Sequence, residues 1–126
     1  MRFDAAQRSG LLTHASVLFS HAHAGQTSPV LRGKWLLENI FGIAVPPPPP
    51  GVNASLPDAA PGAKPPTIRE RLANHRKQPV CASCHAVIDP AGFALENFDA
   101  IGGYRLIDES GKPVDAVGNT VDGTPV

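Results

Sequence analysis

Sulfur is scarce in this chain. Among 126 residues there is one methionine, Met1, and there are two cysteines, Cys81 and Cys84. All thiol chemistry is therefore confined to one place, and a methionine ligand to a metal is excluded from the body of the sequence. Charge of one sign is also missing. Eleven basic residues face eleven acidic ones, with five histidines, so no overall field selects a polyanion, and nucleic acid is not an expected partner. No apolar run approaches the ~20 residues of a membrane-spanning helix. The opening MRFDAAQRSG has polar residues where a secretory signal carries its apolar core. What the chain has in quantity is proline and glycine, 14 and 12 residues, so much of it is neither helix nor strand.

The pattern predicts a mostly α-helical protein organised around a tether. Residues 1–45 read as an N-terminal helical segment. In SGLLTHASVLFSHAHAG, Leu11, His14, Ala15 and Leu18 share one helical face. A second helix is expected in TSPVLRGKWLLENIFG. Thr27 or Ser28 caps it, Pro29 occupies its first turn and Gly42 stops it, with Trp35, Leu36, Ile40 and Phe41 buried. Five prolines at 46–50 favour a stiff polyproline II strut, and residues 46–66 read as a proline-rich linker.

A second lobe, 67–107, opens on the capping-box spacing of Thr67 and Glu70, which starts a helix over TIRERLANHRK. Asp89 and Pro90 read as the N-cap and first residue of another helix, PAGFALENFDAIGG, with Ala94, Phe98 and Ile101 aligned. Residues 104–117 suggest a short β-hairpin turning at DESG, so 108–126 holds the end of that hairpin and a polar tail.

Between the two helices of the second lobe stands CASCH: Cys81, Cys84 and His85. Covalent haem attachment uses every residue of C-x-x-C-H. The two thiols add to the two vinyl groups along one porphyrin edge, and the adjacent imidazole lies under the ring to bind iron. An apolar disc also completes a core that about 45 residues can hardly build alone. Two other chemistries compete. A redox dithiol needs a strand before the motif and a helix starting at its first cysteine. A structural zinc site needs four donors, which Cys81, Cys84, His85 and His75 supply awkwardly because two are adjacent.

With Met1 the only methionine, a sixth iron ligand is a histidine or comes from outside the chain; His75 and His14, each on an apolar helix face, are the candidates. His21 and His23 read as loop. A backbone carbonyl near Pro90 is the expected acceptor for the second ring nitrogen of His85. Arg69, Arg71, Arg76 and Lys77 read first as a solvated helix face and second as a guide for an acidic redox partner.

Taken together, TSPVLRGKWLLENIFG, PPPPP and TIRERLANHRKQPVCASCHAVIDPAGFALENFDAIGGYR resemble the planctomycete-type cytochrome-c-like domains, over about residues 9–115. The resemblance implies a helical cytochrome-c-like lobe near the C-terminal end of a large exported multi-domain protein. It implies haem c on Cys81 and Cys84, with iron on His85, and a periplasmic or extracellular location. The expected function is mono-haem electron transfer to an unassigned redox partner, beside other domains of a parent chain. The alternative is a non-catalytic scaffold module with a structural zinc site.

Overall fold

In chain order the computed structural model gives α1 (Ala15–Ser20), β1 (Ala22–His23), β2 (Gln26–Thr27), α2 (Pro29–Asn39), α3 (Ile68–His75) and α4 (Pro79–Phe93). The structure describes residues 4–8, 10–52, 56, 62–120 and 122–125, so Met1 lies outside the described residues. The class is mostly α, as expected.

Local signals set the helix starts. The Ser28 hydroxyl accepts the Leu31 N–H at 3.2 Å and Pro29 occupies the first turn of α2. At α3 the capping box is complete: Thr67 Oγ1 accepts from Glu70 N at 3.1 Å, and Glu70 Oε2 accepts from Thr67 N at 2.8 Å. The first helix is shorter than its rhythm suggests. His14 is its exposed N-cap and Leu11 precedes it in solvent, which leaves Leu18 as its buried residue. In α2, Leu36 and Leu37 are buried, but Ile40 and Phe41 follow the helix end and are about half exposed, contrary to the expected burial.

The largest departure concerns α4. Pro79 does not break the chain before the cysteines; it takes the first-turn position of a 15-residue helix that contains the whole motif. Asp89 and Pro90 do not start a helix, because Pro90 lies inside α4. The missing Pro90 N–H leaves the carbonyl four residues earlier without its helical donor. That residue, Ala86, is exposed, so water can take the place of the donor. The helix expected over 90–103 ends at Phe93 and gives way to turns closed by a Phe98–Tyr104 bridge. Phe98 is buried there, while Ile101 points into solvent.

The C-terminal hairpin is reduced to a single bridge, Ile107 with Pro113, around the turn at Asp108–Gly111. The two-stranded ladder is instead at β1–β2, antiparallel, with Ala22 opposite Thr27.

Segments on both sides of the proline stretch share one core: Leu18 and Leu36 pack with Ala91, Leu95 and Phe98. α2 crosses α4 with backbones nearly touching. A Cβ on Gly33 would overlap the Ile88 carbonyl, and one on Gly92 the Pro29 carbonyl. Beside this crossing the buried Arg32 donates to the carbonyls of Leu95 (2.9 Å), Phe98 (2.7 Å) and Asp99 (2.7 Å), tying down the chain after α4. Glu96 stands 3.6 Å from Arg32 and accepts from Thr27 Oγ1 and Arg105 Nη2 at 2.9 and 3.0 Å. Burial raises the Glu96 pKa even with these partners present.

Candidate functional site

At about 100° per helical residue, Cys81, Cys84 and His85 fall within an arc of about 100° on α4. That arc faces a cleft of about 610 Å³, within the usual size range of small-molecule and cofactor sites. Both cysteines are free thiols, Cys81 buried and Cys84 half-buried, and both line the cleft with His85. α3 supplies Ile68, Leu72 and His75. The N-terminal turn of α2 supplies Pro29, Val30 and Leu31. A further wall is the proline segment itself, through Pro46, Pro48, Pro49 and Val52, beside His23 and Gln26 of the β1–β2 pair. The stretch read as a spacer is therefore part of the cavity, where proline rings present methylenes and carry no N–H that needs a partner.

The His85 ring is held on two sides. Its Nδ1 lies 2.8 Å from Asp89 Oδ1, one turn along the helix. The Asp89 side chain is fully buried, and its Oδ2 stands 3.7 Å from Arg76 Nε, beyond hydrogen-bond length. The orienting acceptor is thus the Asp89 carboxylate and not a carbonyl near Pro90. The i, i+4 spacing of His85 and Asp89 carried this signal, and the N-cap reading of Asp-Pro concealed it. On its other side the ring meets His75 edge to face, with centroids 4.7 Å apart. Burial, and then the neighbouring His85, push the His75 pKa below the ordinary histidine value.

The other expected residues are dispersed. Two imidazoles on opposite sides of one metal, at about 2 Å per bond, hold their centroids more than about 6 Å apart. His75 is closer to His85 than that and sits beside it, not across from it. His14 bonds Ser16 Oγ at 2.8 Å in the cap of α1 and does not line the cleft. His21 packs on Trp35 at 5.1 Å, whereas His23, on β1, lies on the cleft wall. Among the described residues, no three His, Cys, Asp or Glu side chains converge as metal donors. The four donors of a zinc site are therefore not assembled among the described residues.

Of the basic run expected as a solvated face, Lys77 is exposed, whereas Arg69, Arg71 and Arg76 are half-buried and engaged with neighbours. Arg69 stacks on Phe93 at 3.8 Å and donates to the Asp115 and Val117 carbonyls at 2.9 and 2.5 Å. Arg71 reaches the Leu56 carbonyl at 3.2 Å, and Arg76 faces Asp89.

Fold and site together define a mostly helical domain in which a cysteine- and histidine-bearing helix lines an apolar cleft. The family model that matches is PSCyt3, protein of unknown function (DUF1588), over residues 8–108. The chain belongs to this family of planctomycete-type cytochrome-c-like domains. No curated protein and no solved structure matches it. No helix among the described residues is long and apolar enough to cross a membrane.

Proposed function

We propose that the chain is a mono-haem c-type electron-transfer module of a larger exported protein. One observation carries this reading: both thiols and His85 project from one helix into a single apolar cleft of cofactor size. Attachment is an addition in which each thiol gives its sulfur and hydrogen across one vinyl double bond, with no atom lost. Cys81 and Cys84 form these thioethers. His85, with Nδ1 engaged by Asp89, keeps Nε2 for iron. Bound haem supplies a one-electron couple, and the apolar walls from α2, α3 and the proline segment exclude water from it. Because bacteria attach haem c after export, the reading places the working protein in the periplasm or outside the cell. Electrons pass to or from a redox partner at the rim of the cleft.

The test is expression with a bacterial haem-maturation system, followed by acid–acetone extraction and an optical spectrum. A Soret band that stays with the protein, and disappears in the Cys81→Ala/Cys84→Ala double variant, supports the proposal. Colourless protein from a competent host, or one zinc per chain without haem, overturns it.

A further inference from the structure

His85 and Asp89 are one helical turn apart, and the contact between them is short, half-buried and made at Nδ1 of the ring. We infer that Asp89 is a positioning residue that acts on the haem iron through the His85 imidazole and lowers its reduction potential; this rests on the haem reading above. Four features support it. Asp89 Oδ1 is 2.8 Å from His85 Nδ1, so a carboxylate there takes the N–H at Nδ1 and leaves the Nε2 lone pair free. The Asp89 side chain is fully buried and the His85 side chain largely so, and this reduced access of water strengthens the contact. The neighbouring cation, Arg76, stands off at 3.7 Å from Oδ2 and leaves Oδ1 to the histidine. His75, edge-on at 4.7 Å, restricts rotation of the ring away from the carboxylate.

A carboxylate on Nδ1 draws the proton toward itself and makes Nε2 a stronger electron donor. A stronger donor favours the ferric state, so the potential falls relative to a histidine that donates to a neutral carbonyl. Asp89 touches neither haem nor partner on this account; its effect passes through one imidazole.

The experiment uses the matured, haem-loaded chain and the Asp89→Asn variant, which keeps the side-chain shape and removes the charge. Spectroelectrochemical titration with mediators is expected to show at least a tenfold loss of preference for ferric iron, an upward shift of about 59 mV for one electron. Resonance Raman of the photolysed ferrous carbonyl form is expected to show a lower Fe–His stretching frequency in the variant, a change that a purely structural Asp89 would not produce. Haem-loaded variant with both values unchanged overturns the inference while leaving haem attachment intact; wild-type protein without haem overturns the underlying reading instead. Should Asp89→Asn fail to fold, the wild-type frequency decides. A value in the range of histidines that donate to neutral carbonyls overturns the inference, and a higher one supports it.

Discussion

Arg32 shows how much one residue can hold. Its guanidinium is buried, spans acceptors 63 to 67 positions away in sequence, and is paired with a buried glutamate. Removing the guanidinium takes a charged donor from three carbonyls; those of Leu95 and Asp99 keep backbone donors, that of Phe98 loses its partner, and Glu96 is left to Arg105 and Thr27. Arg32→Met is expected to cost on the order of 3–5 kcal/mol through its lost charge-assisted hydrogen bonds, measured by urea unfolding. None of this was legible in the sequence, because its pattern holds no sign of which distant carbonyls an arginine will meet. Asp89 is the opposite case. Its partner is four residues away, and the pair becomes visible once the helix is read through Pro90. At the surface, the Lys112 hydrogen bond, followed by the Thr67 N–H, holds the Glu70 carboxyl below its usual pKa. A depressed carboxylate stabilises the fold above the unfolded pKa, and that contribution is lost as pH falls through the folded value. In urea midpoints measured from about pH 6 down to about pH 3, Glu70→Gln should lose this acid dependence. The difference from wild type should shrink in high salt.

At the scale of elements, the helix starts at Ser28 and Thr67 were readable because a cap is decided within four residues. Thr67→Ala is expected to lose about 1 kcal/mol. The course of α4 was not readable. Its continuation past Pro90 depends on α2 lying against it, with Gly33 and Gly92 at the crossing. Neither glycine has positive φ, so both are needed for space and not for backbone freedom. Gly92→Ala drives a methyl into the Pro29 carbonyl, a backbone atom that cannot swing aside. Its expected cost is about 3 kcal/mol or more by thermal or urea unfolding, at the upper end for overpacking. By contrast Gly111, in an open turn with φ +80°, meets nothing on adding a Cβ. Gly111→Ala should cost only the smaller penalty of a left-handed backbone.

For the whole molecule, the mostly helical class, the grouping of Cys81, Cys84 and His85, and the family itself were legible in the sequence. The role of the proline segment was not. Five adjacent prolines have the composition of a spacer, and only their return over α3 and α4 makes them a wall of the cleft. Replacing residues 46–50 by Gly-Ser-Gly-Ser-Gly, a flexible sequence of the same length, separates the two roles. A spacer would tolerate the change. A wall predicts lower covalent haem yield per folded chain, measured by the ratio of Soret to protein absorbance after matched expression.

A polyproline wall also has a consequence for timing. Each ring restricts φ near −65° before folding as well as after. Little freedom is left to freeze when a guest arrives, so this side of the cleft waits ready-made. Under the haem proposal, the thiols of α4 would then react against a wall that is already stiff.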